Sequence, residues 1–187
     1  MKRCATMLPL TLLLLLLSLL SGCGYNSMQA NEEAVTAAWG NVESAYQRRA
    51  DLIPNLVATV KGYATHEKDV FENVANARSK LAGARTPAEA GAANGQLDSA
   101  IGRLLAISEN YPQLKANENF VRLQDELAGS ENRIAVERKR YNDDVRELNQ
   151  SIKRFPGNMV AKLFSFDHKD YFQADAKSQQ VPEVKFN

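Results

Sequence analysis

Gln47 to Lys80 reads QRRADLIPNLVATVKGYATHEKDVFENVANARSK. Its apolar and small residues at Leu56, Val57, Val60, Tyr63, Ala64, Val70, Phe71, Val74 and Ala77, with Leu81 just beyond, fall at the three-and-four spacing of one helical face. Such a face must be buried against other helices, while Lys61, Glu67, Lys68, Asp69 and Glu72 form a wet outer surface. Pro54 lacks an N–H, which costs nothing in a first helical turn, and its ring disfavours an α conformation at Ile53. The stretch therefore predicts a helix that ends near Asp51 and a second running from Pro54 to about Ala84.

Working outward, helix one is expected from about Asn31 to Asp51, with Val35, Trp39, Val42, Tyr46 and Arg49 facing inward and Glu32 and Glu33 at its positive end. Downstream, Thr86, Pro87 and Glu89 read as the cap, first residue and capping-box partner of helix three, which buries Leu97, Ile101, Leu104, Leu105 and Ser108. Gly91 and Gly95 weaken its first half by about 1 kcal/mol each. The connection ENYPQLKANENF, Glu109 to Phe120, ends with Asn117 as a cap for helix four, which is expected to run to Phe155. Phe120, Leu127, Ile134, Tyr141, Leu148 and Phe155 recur every seven residues, joined by Leu123, Val145 and Ile152, the seam of a bundle or coiled coil. No strand-forming segment or internal repeat is visible. The expected fold is all-α: an antiparallel four-helix bundle over residues 31–157, a leader over 1–22, a polar tether over 23–30, and a C-terminal tail, 158–187, packing on the bundle.

The leader MKRCATMLPLTLLLLLLSLLSGC has a short basic start, a leucine-rich core and small residues before Cys23, the layout of an export signal. Leu20, Ser21, Gly22 and Cys23 resemble the lipobox of bacterial lipoproteins. That resemblance implies diacylglycerol on the Cys23 thiol, cleavage before it and acylation of the new amino group. The buried chains would hold the protein on a membrane at about 0.8 kcal/mol per CH₂. The alternative is a retained single-pass inner-membrane helix, since the uncharged run from Cys4 to Gly24 is long enough to span a bilayer. Either way the body is expected outside the cytoplasm, in the cell envelope. Gly24 in place of Asp after the cysteine resembles the pattern that directs lipoproteins to the outer membrane of Gram-negative cells.

Without Lys2 and Arg3, the 23 basic residues fall to 21, against 22 acidic ones. That balance carries no nucleic-acid footprint. Cys4 and Cys23 both belong to the leader and its end, so the body has no thiol for a disulfide or a thiolate metal site. A carboxylate-bridged di-metal centre in a bundle needs Glu-x-x-His on two helices. His66 and His168, the chain's two histidines, do not supply it. No Gly-x-Ser-x-Gly turn occurs. Glu109, Arg103 and Tyr111 could be assembled into a site, but nothing singles them out. We therefore expect no catalytic residue, no metal and no cofactor.

Polar residues interrupt the helix-four seam at Ser130 and Glu137. A buried charge must be paired, and Arg48, Arg49 and Arg78 are available on the preceding helices. A paired interior layer of Arg48, Arg49, Arg78, Ser130 and Glu137 would fix register at some cost in stability, or line a polar pocket inside the bundle.

The motifs QRRADLIPNLVATVKGYATHEK (Gln47 to Lys68), ARSK (Ala77 to Lys80), ENYPQLKANENF, LQDEL (Leu123 to Leu127), ENRIA (Glu131 to Ala135), RYN (Arg140 to Asn142), FPGN (Phe155 to Asn158) and the closing Pro182-x-Val-x-Phe186 resemble, in order and over nearly the whole body, those of LemA family proteins. The resemblance implies a membrane-tethered antiparallel four-helix bundle, no assigned enzymatic activity, and a TPM-domain membrane protein as an envelope partner. Many members keep a transmembrane helix where this chain has its lipobox. The expected task is that of a non-enzymatic binding or scaffold protein, using a bundle face or the Glu109 to Asn117 loop. The alternative is an enzyme or small-ligand-binding protein with a pocket between helices.

Overall fold

A computed structural model describes the backbone from Met7 to Gln173 and the side chains from Gly24 to Gln173. The side chain of Cys23, and with it the lipidation reading, lies outside the described residues, as does the Pro182 to Phe186 end. Every regular element among the described residues is helical: α1 (Met7–Lys61), α2 (Lys68–Gly83), α3 (Pro87–Ser108), α4 (Pro112–Lys115), α5 (Glu118–Lys153) and α6 (Gly157–Phe164). The chain divides into two compact units, Gly40–Arg140 with the residues from Tyr171 on, and the residues up to Trp39 with Tyr141–Asp170.

The first unit is the four-helix one, built from α1 from Gly40 on, α2, α3 and α5 as far as Arg140. Its core includes Val42, Ile53, Leu56 and Val60 of α1, Phe71 and Val74 of α2, Leu97 and Leu104 of α3, and Phe120, Leu127 and Ile134 of α5. The expected break at Pro54 does not occur, and Pro54 sits inside α1. A proline at 54 removes the N–H that would have bonded the carbonyl four residues back, at Ala50. That carbonyl instead accepts from Arg78 Nε on α2 at 2.9 Å, so a neighbouring helix supplies the donor that the proline lacks. The break falls at Gly62, where Tyr63 and Ala64 both fold back onto the Val60 carbonyl (3.0 and 2.9 Å). Gly62 has low helix propensity, and the β-branched Thr65 follows it. Ala64 is buried as expected, whereas Tyr63 lies exposed and its hydroxyl accepts from Asn117 Nδ2 at 3.1 Å.

Caps read from the sequence recur in this unit. Thr86 Oγ1 accepts from the Glu89 N–H at 3.2 Å, with Pro87 in the first turn. The Glu89 carboxylate, though, takes the N–H of Arg85, one residue before the cap. Asn117 Oδ1 accepts from the Phe120 N–H at 3.1 Å and caps α5. The connection between α3 and α5 is pinned by the single turn α4, whose Leu114 is fully buried. Phe172, beyond the last helix, is buried with the Arg138 guanidinium 4.9 Å from its ring centre, and Arg138 also donates to the Gln173 carbonyl at 2.8 Å.

The second unit joins Gly24–Trp39 of α1, the end of α5, α6 and an extended segment. Residues 24–30 are helical and Met28 is 1% exposed, packed with Ala161 and Phe166. The expected polar tether is therefore part of a core, because Met28 finds an apolar seat that its polar neighbours hide in the sequence. Helix α5 stops at Lys153, and Phe155, expected to close the seam, is 80% exposed. Pro156 and Gly157 turn the chain into α6. Gly157 is required there, since a Cβ would run into the Ser151 carbonyl oxygen and crowd Met28 Cε at 2.8 Å. The segment after α6 is held by the Asn149 amide, which donates to the Lys169 carbonyl (2.9 Å) and accepts from its N–H (3.1 Å). The Tyr141 hydroxyl donates to the Asp170 carbonyl at 3.2 Å. Burial, with the Asp170 charge adding to it, pushes the Tyr141 phenol above its ordinary value.

Asp144, on α5 in this unit, has its carboxyl raised by partial burial, then by the Glu147 and Asp143 charges. The folded state thus holds its proton more tightly than the unfolded chain, and ionisation of Asp144 destabilises at any pH above its folded value. Asp144→Asn is expected to stabilise at neutral pH, by about 0.5 kcal/mol or less since the group is partly solvated. That gain should vanish as pH falls below the ordinary carboxylate range. Urea midpoints measured at pH 7 and in acid check both signs.

Candidate functional site

The polar centre of the four-helix unit is Arg49. One turn after Tyr46 on the buried face of α1, its side chain is only 5% exposed. A guanidinium there must be paired. Nη2 bonds Asp98 of α3, and Nη1 bonds Glu131 of α5 and the Asn94 Oδ1 of α3, the last at 2.7 Å. Asn94 is itself buried and its Nδ2 donates to the second Asp98 oxygen at 3.1 Å. Small residues make room for this cluster on α3: Ala90 and Ala93 are buried one turn before Asn94 and Leu97. Arg49 Nε is buried with no hydrogen-bond partner among the described residues. The two carboxylates differ from the arginine in being 38% and 44% exposed, so three helices converge on one buried cation while its counter-charges reach toward solvent.

Asp98 also opens onto a groove of about 850 Å³ between α2 and α3. Ala77, Gly95 and Ala100 are among the small residues that line it. Asn73, Asn76, Ser79 and Lys80 from α2 and Gln96, Ser99 and Arg103 from α3 supply its donors and acceptors. Lys80 Nζ donates to Gln96 Oε1 at 3.0 Å across it. Chemically this lining can hydrogen-bond a polar partner and neutralise negative charge. It brings no histidine or thiol to the groove. His66 and His168 are both exposed, in the α1–α2 link and in the extended segment. Among the described residues no group of three His, Cys, Asp or Glu side chains is placed to hold a metal ion.

The expected interior layer is only partly assembled. Arg49 is in it. Arg48, its neighbour, is exposed and lines a separate hollow of about 330 Å³ with Arg133, Glu137 and Arg140. Arg78 serves the Ala50 carbonyl. Ser130 is buried, but its hydroxyl donates locally to the Leu127 carbonyl at 2.7 Å. Glu137 pairs with Arg140 on its own helix at 2.9 Å, and with none of the three arginines proposed for it. Its 15% side-chain exposure and local partner make Glu137→Ala an inexpensive change, expected to cost about 1 kcal/mol or less in urea denaturation. Asn94, Asp98 and Glu131 were missing from the layer inferred from sequence. Their signal was present in the Asn94–Asp98 spacing of four on a helix rich in small residues, and in Glu131 beside the seam. Glu109 pairs with Lys115 at the surface (2.7 Å) and is not joined to Arg103 or Tyr111.

The model of the LemA family matches residues 38–186. Magnetosome protein MamQ 2 of Paramagnetospirillum magneticum is 26% identical over 175 residues, covering 80% of this chain and 64% of its own length. Magnetosome protein MamQ of Magnetospirillum gryphiswaldense is 25% identical over 174 residues, 79% of this chain and 64% of that protein. Protein LemA of Metamycoplasma hominis is 26% identical over 153 residues, with 80% and 68% covered. The chain thus spans somewhat less than two thirds of the length of the magnetosome proteins it matches.

Proposed function

The chain belongs to the LemA family, and from that premise we propose that it is a membrane-anchored, non-enzymatic binding protein of the cell envelope. Its partner would be another envelope protein, a TPM-domain membrane protein being the one the resemblance implies, and it would be met in the groove between α2 and α3. The observation that carries this reading is the lining of that groove: side chains that donate and accept hydrogen bonds on a floor of small residues, held in place by the Arg49 cluster beneath. Rigid helices presenting such a face suit recognition. The body would stand outside the cytoplasm on acyl chains at Cys23, at the periplasmic side of the outer membrane in a Gram-negative cell. An inner-membrane helix from the retained leader is the other anchor. From Gly24 on, where side chains are described, no helix is long and apolar enough to cross a membrane.

Photo-crosslinking from Ser99 in intact cells tests the binding reading. It should capture an envelope protein that a probe at Val136, exposed on α5, does not capture. Equal capture from both positions would sink it. The second reading, a small-ligand or enzymatic pocket, is favoured by the groove's volume, which falls within the usual range for ligand sites of about 300–1,000 Å³. A small molecule co-purifying with the chain and displaced by Ser99→Trp would support that reading instead.

The anchor has its own test. Cys23→Ala is expected to leave an uncleaved precursor with no incorporation of labelled fatty acid, because no other cysteine stands at the mature start. Processing and labelling equal to the parent would rule the lipid anchor out.

A further inference from the structure

The second unit carries an apolar surface that its own fold leaves open. Helix α6 turns Ala161 inward, with Val160 packed beside it on Met28, yet Met159 and Leu163, four residues apart on its opposite face, are 64% and 76% exposed. Phe155 just before the helix and Phe164 at its end extend the same character, at 80% and 52%. Four large apolar side chains exposed within ten residues is not the scatter found on ordinary surfaces, and such patches mark contact with a partner or a membrane.

Two observations identify the occupant. The start of the body lies directly on this helix: Gly24 abuts Val160, its Cβ position being 3.6 Å from Val160 Cγ2, and the Tyr25 ring stacks on Phe164 with centres 4.6 Å apart. Whatever enters the bilayer at Cys23 therefore enters within two residues of α6. The second is charge. From Ser151 to Phe164 the chain carries Lys153, Arg154 and Lys162, all exposed, and no acidic residue. Exposed Phe, Leu and Met flanked by basic side chains is the composition of helices that lie in the membrane interface.

We propose that Phe155 and the outward face of α6 insert into the headgroup region of an anionic lipid bilayer as a second membrane contact beside the N-terminal anchor. This rests on the membrane-anchored reading given above. With the anchor supplying attachment, α6 would orient the body, because one tether leaves a domain free to swivel while a second contact removes that freedom.

The test uses the full, processed chain in vesicles of phosphatidylcholine and phosphatidylglycerol whose acyl chains carry bromine, a contact quencher of tryptophan. Leu163→Trp and, as control, Val136→Trp are each made in a Trp39→Phe chain. Both introduced sites are exposed, so neither threatens folding. An interfacial helix sits about 5–10 Å into the headgroup and acyl boundary. The emission at 163 should thus be more than halved by brominated lipid, and the emission at 136 unchanged. Weaker quenching at 163 in purely zwitterionic vesicles would further support the basic side chains' part. Equal emission from the two sites while the protein still floats with the vesicles overturns the inference and leaves the anchor standing. A blue shift at 163 that follows protein concentration, without quenching, overturns it in favour of a second copy on this face. Failure to float overturns the anchor reading and this inference together.

Discussion

Asp98→Ala combined with Glu131→Ala is expected to destabilise the four-helix unit by about 3–5 kcal/mol, the usual cost of stranding a buried charge by removing its partners. Arg49 is only 5% exposed, and with both carboxylates gone Asn94 Oδ1 is the hydrogen-bond acceptor left to it among the described residues. With a urea slope of about 2 kcal/mol/M the midpoint should fall by roughly 2 M. Each single substitution should cost well under half of this, because the other carboxylate stays in place, so the pair is strongly non-additive. Arg49→Met should be milder than the double substitution. The methionine fills the space of the arginine stem, and the carboxylates, already 38% and 44% exposed, can rehydrate. If the double substitution shifts the midpoint no further than two ordinary surface changes, Arg49 is not the paired centre of the unit.

Arg78→Leu is expected to cost about 1–3 kcal/mol by leaving the Ala50 carbonyl buried without a donor. The cause can be isolated through the proline. In a Pro54→Ala chain the backbone N–H of residue 54 returns and bonds that carbonyl within α1, so Arg78 becomes dispensable there. Arg78→Leu in this background should cost only what its packing is worth, giving a coupling of at least about 1 kcal/mol between two positions on different helices. Pro54→Ala alone is expected to stabilise, since an interior proline is unfavourable in any helix. A full cost for Arg78→Leu in both backgrounds would mean that the carbonyl bond is incidental.

That coupling also explains where reading the sequence failed. The break signal at Pro54 is local, and the donor that overrides it comes from 24 residues further along the chain on α2, so no window centred on the proline contains the answer. The true break, Gly62 to Glu67, was masked because Tyr63 and Ala64 keep the apolar spacing through it. By contrast Phe120, Leu127, Ile134, Tyr141 and Leu148 are all buried, since a seven-residue apolar repeat needs only its own helix to be recognised. The polar stripe beside that seam was over-extended. A straight helix drifts by about 20° per seven residues from such a repeat, and while Leu123 and Ser130 are still buried, Glu137 one repeat further on is only partly so. The candidate site was legible in its cation and illegible in its partners: Arg49 fell on an apolar face, whereas Asp98 and Glu131 are half-exposed acids that look like any solvated charge until three helices are brought together.

The position of Trp39, its ring edge-on to Tyr141 at 5.9 Å in the second unit, turns fluorescence into a local gauge. It is the chain's single tryptophan, whereas circular dichroism sums the helices of both units. Every substitution argued above around Arg49, Arg78 and Pro54 lies in the other unit. Emission from Trp39 and ellipticity should therefore be followed in the same titration. Coincident curves mean that α1 and α5, which run unbroken through residues of both units, melt as single cooperative rods. Curves that separate mean that each helix can come apart halfway along, so that one number for the stability of the chain has no meaning.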